Sequence, residues 1–567
     1  MSSFPLLTVA AALPAVGAVL TAALPAATSA RRRDLNKAVP LGLSVLTLVL
    51  AAIVAIRFKP GGARYQMTEY HAWIADFGVG YSVGVDGIAV VLILLTAVLV
   101  PMVMLASWHD ADPAYPSPDH HPYPGGSAPL LPINDQGTFE RSRRTQGFFA
   151  LILAVEAMVI LSFEATDVFL FYVFFEAMLI PMYFLIGGFG DRTHGEDARQ
   201  RSYAAVKFLL YNLLGGLIML AAVIGLYVIT AQQGVGTGGH GSFDLSTITQ
   251  ALASGKLHFS GTAENALFLG FMFAFAVKAP LWPFHTWLPN AMGESTAGVA
   301  VLITAVVDKV GTYAMLRFCI QLFPQASKTF APAILVLSVI GIIYGALLAV
   351  GQKDIKRLIA YASLSHFGFI IMGIFAMTSQ GQSGATLYMV NHGISTAALL
   401  LVVGFLMSRR GSRMIADYGG VQKVAPVLAG TFMIGGLATL SLPGLAPFVS
   451  EFLVLVGTFT RYPVIGIVAT VGIVLAALYV LVLYQRTMTG PVAPAVAGFK
   501  DLRARELVVV TPLIALLLLL GVFPKPITNI INPAVRATLS DVQRTDPAPP
   551  HPAPLAQSAS TTNGGGQ

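Results

Sequence analysis

Residues 271–291 read FMFAFAVKAPLWPFHTWLPNA and combine features that lipid does not tolerate together. The stretch begins as an apolar helix, carries Lys278 within the apolar run, and then contains Pro280, Pro283 and Pro289. An ammonium group at bilayer depth is costly, and each proline removes the hydrogen-bond donor for one backbone carbonyl. Both features are stable only where protein or a hydrated cavity surrounds them. The stretch therefore predicts a polar path inside a membrane protein.

The composition is that of a protein embedded in lipid. The 567 residues are 55% hydrophobic and 11% charged, whereas about 25% of a soluble domain is charged. The net charge of +7 comes from short basic clusters between apolar runs, so it predicts membrane orientation and no nucleic-acid partner. Cys319 is the only cysteine, which excludes intrachain disulfides and cysteine-ligated iron–sulfur clusters. Any redox centres that the protein works with must then lie in partner subunits.

Fourteen apolar runs of roughly 20 residues predict fourteen transmembrane helices. The runs lie at about residues 4–27, 38–56, 82–107, 146–163, 167–189, 203–231, 265–289, 297–323, 330–350, 357–378, 384–408, 425–460, 463–487 and 507–523. The first run has no basic segment before it, so we expect a spanning helix and not a cleaved signal peptide. Most of the 34 lysine and arginine residues lie in loops that follow odd-numbered helices. The positive-inside rule then puts both termini on the outer face of the membrane.

A second broken helix lies near residues 438–453, ATLSLPGLAPFVSEFL, where Pro443 and Pro447 precede Glu451. Paired proline-interrupted helices in two halves of a membrane protein indicate an inverted repeat with ion sites near the bilayer midplane. We therefore predict an all-α polytopic membrane protein with about 14 transmembrane helices, two inverted five-helix repeats and two broken helices.

These patterns divide the chain into six parts. The predicted parts are transmembrane helices 1–3 (residues 1–107), a polar loop (108–145), a first repeat of helices 4–8 (146–323), a second repeat of helices 9–13 (324–490), helix 14 with its flanks (491–540) and a disordered tail (541–567).

Titratable residues inside the predicted helices are the candidates for function, because the bilayer makes each of them costly. They are Glu156, Glu176, Lys207, Lys278, Asp308, Lys309, His366, His392 and Glu451. Glu176 lies too deep for a short side chain to reach the interface, and Lys278 lies beside a helix break whose hydrated surroundings could accept its proton. The alternative for this pair is a structural ion pair or counter-ion.

The other candidates also have structural alternatives. Lys309 lies in the middle of its helix, while Asp308 points about 100° away from it, so packing or an interface role is at least as good an explanation for Asp308. Glu451 follows the second break and could instead cap it. His366 and His392 could be hydrogen-bonded core residues, but two imidazoles between the lysines and an acid make a proton relay an equally good explanation. Lys207 and Glu156 are the weaker candidates.

Electrostatic coupling between such groups is large enough to move protons. A carboxylate about 4 Å from an ammonium group, at an effective dielectric constant near 20, gains roughly 4 kcal/mol. We therefore hypothesise that moving a glutamate toward or away from Lys278 switches that lysine between holding and releasing a proton.

Five segments of the chain make it recognisable: YVFFEAMLIPMYFLIG, VKAPLWPFHTWLPNA, DIKRLIAYASLSHFGF, NHGISTAALL and LPGLAPFVSEF. They resemble the antiporter-like subunits of respiratory complex I, and the resemblance covers nearly all fourteen predicted helices. Related branches usually carry a lysine where Glu451 stands, or a long lateral helix after the core. Glutamate at that position is typical of the M-type branch found in bacterial NADH-quinone oxidoreductase.

The resemblance implies a proton-translocating membrane-arm subunit driven by electron transfer from NADH to quinone in partner subunits. It implies that Glu176 pairs with Lys278, that Lys309 is the central relay, and that Glu451 is the exit-side group reached through His366 and His392. No cofactor and no metal is expected in this chain, since FMN, iron–sulfur clusters and quinone belong to partners. The expected partners are L-, N- and K-like membrane subunits and membrane lipid, in a hetero-oligomer.

One segment departs from the family pattern, and two other functions remain open. The run HTWLPNAMGESTAG has Asn290 and Met292 at positions that are usually polar or charged, with Glu294 as a candidate for the expected acid. The alternative function is a subunit of a multisubunit Na⁺/H⁺ (cation/proton) antiporter. A scaffold without transport is disfavoured, because a scaffold has no need to retain buried charges.

Overall fold

The computed structural model describes residues 4–26, 30–112, 144–191, 198–236 and 240–548. These residues fold mainly into helices. The first seven are α1 (Leu6–Ala23), α2 (Ala30–Arg57), α3 (Gly87–Ala106), α4 (Arg144–Glu164), α5 (Val168–Ala177), α6 (Leu179–Gly187) and α7 (Ala198–Gln232). The next eight are α8 (Leu245–Ala253), α9 (Gly261–Lys278), α10 (Leu288–Glu294), α11 (Ala297–Val301), α12 (Asp308–Ala314), α13 (Pro324–Val350), α14 (Ile355–Phe375) and α15 (Ser379–Arg410). The last six are α16 (Pro426–Thr439), α17 (Ala446–Arg461), α18 (Pro463–Ala469), α19 (Val471–Met488), α20 (Ala504–Val522) and α21 (Lys525–Asp541).

Short helical segments of other types complete the description. Two π-helical segments, Leu302–Val307 and Met315–Ile320, flank α12 and join it to α11 in one continuous span. Three 3₁₀ turns lie at Ala75–Phe77, Ile415–Asp417 and Val421–Lys423.

Twelve helices among the described residues are long and apolar enough to cross a membrane, or thirteen if one bent pair is counted. The predicted helices 7 and 12 are not among the twelve, because each is divided: α9 stops at Lys278 and α16 stops at Thr439. The polytopic helical fold is therefore confirmed, and both predicted breaks are present. The count of fourteen and the inverted relation of the two halves stay predictions.

A two-stranded hairpin corrects the expectation that the chain is entirely helical. Strands β1 (Gln66–Ile74) and β2 (Val79–Val85) pair antiparallel between α2 and α3. The third helix therefore begins at Gly87 and not near residue 82. Asp86 sets this start, since its side chain accepts hydrogen bonds from the amides of Ile88 and Ala89 at 3.1 and 2.9 Å.

The chain remains ordered beyond the expected start of the tail. Helix α21 ends at Asp541, whose carboxylate lies 2.8 Å from the guanidinium of Arg64. Farther on, Asp546 accepts a hydrogen bond from the amide of Ser379 at 2.7 Å. Residues of the predicted tail up to 548 thus make contacts with the helical bundle, and residues 549–567 lie outside the described residues.

Burial identifies the centre of the bundle. Over their most apolar 18 residues, the span Ala297–Ile320 is 100% buried and α14 and α15 are 94% buried, whereas α2 is 28% buried. Helices that other helices surround on all sides can carry polar side chains that lipid would exclude. Lys309, His366 and His392 all lie on these three central spans.

Candidate functional site

At the first broken helix, an indole N–H donates to a backbone carbonyl that has lost its helical donor. Pro280 has no N–H that could donate to the carbonyl of Ala276. The amide of Leu281 donates to this carbonyl instead, at 2.9 Å. This shift leaves the carbonyl of Val277 without its helical donor. The Nε1 atom of Trp287 donates to it at 2.9 Å. The break is therefore stable without water, and it ends α9 at the buried Lys278.

Lys278 points toward α5. Its Nζ atom donates to the carbonyl of Phe175 at 3.2 Å and lies 4.3 Å from the centroid of the Phe175 ring. Glu176, the next residue, interacts electrostatically with Lys278, but no nitrogen–oxygen distance between them is as short as 4.0 Å. The two residues paired by the resemblance are thus neighbours without direct contact. A small movement of either side chain would make or break the ion pair.

A glycine that the sequence reasoning missed makes room for Glu176. A Cβ atom on Gly216 of α7 would collide with the Glu176 carboxylate. The Oε1 atom of Glu176 is buried and has no hydrogen-bond partner. The adjacent glycines 215 and 216 inside a long helix were the available signal, since a helix interior usually avoids glycine.

Lys309 lies on α12 between the two π-helical segments. Its Nζ atom is 2.8 Å from Nδ1 of His392 and 4.1 Å from the centroid of the Phe367 ring. Asp308 is fully buried, neither of its carboxylate oxygens has a hydrogen-bond partner, and it interacts electrostatically with both Lys278 and Lys309. Asp308 therefore joins the two lysines, a position that its sequence neighbourhood did not single out.

The two histidines continue the series toward the second break. The rings of His392 and His366 lie 5.2 Å apart in an edge-to-face arrangement. His366 also lies close to the backbone carbonyl of Thr439. Pro443, four residues farther along the chain, has no N–H to offer that carbonyl. A member of the titratable series therefore lies next to the carbonyl that the second break leaves without a helical donor.

Glu451 lies in the first turns of α17 and is held by hydroxyl groups. The hydroxyl of Tyr388 donates to its Oε2 atom at 3.1 Å, and the hydroxyl of Ser441 donates to the same oxygen. Tyr388 is fully buried and stands four residues before His392 on α15, so both side chains share one helix face. This spacing could have identified Tyr388, but the sequence reasoning considered only ionisable groups.

We call the resulting series the central row. Its members are Lys278, Asp308, Lys309, His392, His366, Tyr388 and Glu451, with Glu176 next to Lys278. Glu156 does not belong to it: one carboxylate oxygen accepts from Ser44 of α2 at 3.3 Å, and the other has no partner. Lys207 is also outside, partly exposed and 5.8 Å from the rings of Tyr203 and Tyr211.

Two further residues singled out in the sequence, His285 and Glu294, make contacts typical of a structural role. His285 lies within the first break and packs edge-on against Tyr344, with 5.1 Å between ring centroids. Glu294 accepts a hydrogen bond from Arg413 at 3.0 Å and so forms a salt bridge at the end of α10. Within the described ranges, no group of three or more His, Cys, Asp or Glu side chains is arranged to hold a metal ion.

The central row can hold and pass protons. Ammonium, imidazole, phenol and carboxyl groups follow one another within the buried centre of the bundle, and several neighbours are already at hydrogen-bond distance. These are the pairs Lys309–His392 and Tyr388–Glu451, and a transfer between other members would need side-chain movement or bridging water. The row also connects the two broken helices.

Comparisons with known proteins identify the family of the chain. The family model described as "NADH:quinone oxidoreductase/Mrp antiporter, TM" matches residues 165–476. NADH-quinone oxidoreductase subunit M of Mycobacterium tuberculosis (strain H37Rv) is 57% identical over 567 residues, covering 100% of both chains. The subunit M of Rhodobacter capsulatus is 36% identical over 500 residues, covering 88% of this chain and 89% of the relative.

Solved structures show the same fold. A chain of respiratory complex I from Thermus thermophilus with bound NADH matches with a TM-score of 0.78 and 29% identity, over 94% of this chain and 99% of that chain. A chain of the Mrp complex from Dietzia sp. DQ12-45-1b matches with a TM-score of 0.74, over 96% of this chain and 100% of that chain. At 20% identity, the second match concerns the fold alone. From its sequence and its fold, the chain belongs to the family of NADH-quinone oxidoreductase subunit M.

Proposed function

We propose that the chain moves protons across the bacterial cell membrane as a membrane-arm subunit of NADH-quinone oxidoreductase. Electron transfer from NADH to quinone in partner subunits drives the movement, and FMN, iron–sulfur clusters and quinone are bound there. The chain itself carries no redox site. Its partners are L-, N- and K-like membrane subunits and lipid, and both of its termini lie on the outer face.

The central row is the observation that supports this proposal. A purely structural set of buried charges would be paired and fully hydrogen-bonded, since unpaired buried charges are costly. In the central row, both oxygens of Asp308 and one ring nitrogen each of His366 and His392 lack a hydrogen-bond partner. Such groups gain hydrogen-bond partners when water or a proton reaches them, which fits a role in proton transfer better than a purely structural role.

The proposed roles follow from position. Glu176 is the group whose movement controls the charge on Lys278. Asp308 and Lys309 then pass the proton to His392 and His366, because Nζ of Lys309 is already 2.8 Å from His392. Glu451 receives it with the help of Tyr388 and Ser441, whose hydroxyls stabilise the carboxylate when it is charged.

The test uses the intact complex in sealed vesicles supplied with NADH and quinone. We expect Lys278→Ala or Glu176→Ala to abolish the share of proton movement that passes through this chain while the complex still assembles. Lys207→Ala removes a lysine of a neighbouring helix that lies outside the central row, so it is expected to retain most of the proton movement. Normal pumping by a fully assembled Lys278→Ala complex would refute the proposal.

A cation/proton antiporter subunit is the second candidate, because the fold matches a chain of an Mrp complex over nearly its whole length. The native assembly distinguishes the two functions. Co-purification with flavin and iron–sulfur subunits supports the redox-driven pump. A purely membrane-embedded assembly that exchanges Na⁺ or K⁺ for protons without NADH supports the antiporter.

A further inference from the structure

Each of the two lysines of the central row lies over the face of a phenylalanine ring. Nζ of Lys278 is 4.3 Å from the centroid of the Phe175 ring, and Nζ of Lys309 is 4.1 Å from the centroid of the Phe367 ring. The other lysines over aromatic rings in the described part of the chain are farther away, at 5.5 and 5.8 Å. A cation at such short range is attracted by the negative face of the ring.

Neighbouring side chains hold both rings in place. Phe175 and Phe367 are only 1% and 0% exposed. Phe175 packs against the rings of Phe171 and Phe275, with 5.4 and 5.7 Å between centroids. Phe367 packs edge-to-face against His392 at 5.4 Å. The surroundings thus fix the face that each phenylalanine presents to its lysine.

A ring face differs from a carboxylate in what it does for a buried lysine. Neither Nζ atom has a carboxylate oxygen of the described residues within 4.0 Å. Burial of an ammonium group without a counter-charge is costly, and the ring offsets part of that cost because it attracts the ammonium form but not the neutral amine. A carboxylate would also stabilise the ammonium group, but it could itself bind the proton. The ring offers no lone pair, so the proton can leave only toward an oxygen or a nitrogen atom.

The titratable groups that face the two ammonium groups, within the described residues, all belong to the central row or adjoin it. They are Glu176 of α5 and Asp308 of α12 for Lys278, and Asp308, His392 of α15 and His366 of α14 for Lys309. The acceptor at hydrogen-bond distance is Nδ1 of His392, 2.8 Å from Nζ of Lys309. Because the Phe367 ring packs against both Lys309 and His392, it lies beside this transfer step.

We propose that Phe175 and Phe367 are positioning residues that hold the two lysines in the charged form until an acceptor comes within reach. This inference rests on the proposed function and deepens it. The ring stabilises the ammonium group without competing for its proton, so the charged lysine can wait and then deliver the proton along the central row. Removing negative charge from either face should let the lysine lose its proton at a lower pH.

The test changes the electrostatics of the ring and leaves its shape almost unchanged. Phenylalanine with increasing numbers of fluorine atoms is incorporated at position 175 or 367, because fluorine withdraws negative charge from the ring face. Protons moved per NADH are measured against pH for the intact complex in vesicles, and the ratio of the Lys278→Ala complex is subtracted. The pH at which half of the remaining ratio is lost is expected to fall with each added fluorine, by up to about one unit in total.

Two substitutions provide a second measurement at position 367. Phe367→Leu removes the aromatic face and should lower the same midpoint by about as much as full fluorination. Phe367→Tyr keeps an aromatic face and should restore most of the midpoint. A residue that only fills space would give no such order.

Phe271 and Phe375 are the matched control positions. Both are fully buried phenylalanines, on α9 and α14, and neither ring lies over a lysine of the described residues. Fluorination there should leave the midpoint unchanged. An unchanged midpoint at positions 175 and 367, or equal shifts at all four positions, beside a lowered ratio in Lys278→Ala would overturn this inference and leave the proposed function standing. A normal ratio in Lys278→Ala would refute the proposed function itself.

Discussion

Each broken helix leaves one backbone carbonyl without its helical donor, and a different side chain lies beside that carbonyl in each case. At the first break, the neutral indole of Trp287 serves the carbonyl of Val277. At the second, the titratable ring of His366 lies close to the carbonyl of Thr439. The charged groups are also of opposite sign: Lys278 is bound only to a carbonyl, while Glu451 accepts from two hydroxyls.

This difference indicates separate tasks for the two breaks. Because Trp287 has no proton to exchange, the first break can hold its shape while the charge on Lys278 changes. At the second break, the side chain beside the free carbonyl can itself gain or lose a proton, so we expect the local backbone and proton transfer to influence each other there. The variants below test this contrast, beginning with the largest expected effect.

Matched replacements of His366 and Trp287 should have different consequences for proton movement and stability. His366→Phe removes a group that carries protons, and we expect proton movement through the chain to fall by about 100-fold or more, the usual contribution of a positioned acid or base. Trp287→Phe only leaves a buried carbonyl without a donor, which costs about 1–3 kcal/mol of stability. Rates of vesicle acidification and thermal unfolding of the purified complex measure both effects. Equal effects on proton movement would remove the contrast.

Gly216→Ala should disturb the first break alone. The new Cβ atom collides with the Glu176 carboxylate and displaces it from its position beside Lys278. A displacement of about 1 Å can slow a transfer by up to about 100-fold. Gly225→Ala on the same helix is the control, because its Cβ meets only the flexible end of Leu267 at 3.0 Å. If both alanine variants acidify vesicles equally fast, the placement of Glu176 is unimportant.

Tyr388→Phe weakens the second break by one hydrogen bond. The lost bond concerns a group that is charged for only part of the cycle, so we expect the lower end of the usual range for such a bond, about 1.5 kcal/mol, and a roughly tenfold slower transfer. Adding Ser441→Ala removes the second donor and should slow transfer further. An unchanged rate in the double variant would show that Glu451 needs neither hydroxyl.

The smallest effect is expected for Glu156→Gln. Glu156 contacts Ser44 on α2 and no member of the central row. Proton movement per assembled complex should therefore stay within about twofold of the wild type, and only stability should change. A loss as large as that of His366→Phe would place Glu156 in the transfer route.

The residues that are costly in lipid were predictable from the sequence, but the residues that position them or donate hydrogen bonds to them were not. Lys278, Lys309 and Glu451 were predictable, because charge and proline inside apolar runs have few explanations. Tyr388 and Gly216 were not, since tyrosine and glycine are common in membrane helices. The role of Tyr388 depends on its hydrogen bond to Glu451, 63 residues away in the sequence. The role of Gly216 depends on Glu176, which lies on another helix.

Local pattern was insufficient for three further features. The hairpin was hidden because β2 and α3 form one apolar run from Val79 onward. Asp308 seemed a packing residue, and only the folded bundle places it between the two lysines. The contacts of residues 541–548 with the bundle, such as the ion pair between Asp541 and Arg64, cannot be inferred from composition.

The central claim is that the groups between the two breaks act in series, and one measurement tests it directly. Protons moved per NADH are compared for complexes that carry Lys278→Met, Glu451→Gln or both substitutions. Groups in series give the same loss in each single variant and no further loss in the double variant, as expected for residues that act as a unit. Losses that add, or a normal ratio in either single variant, would contradict the account.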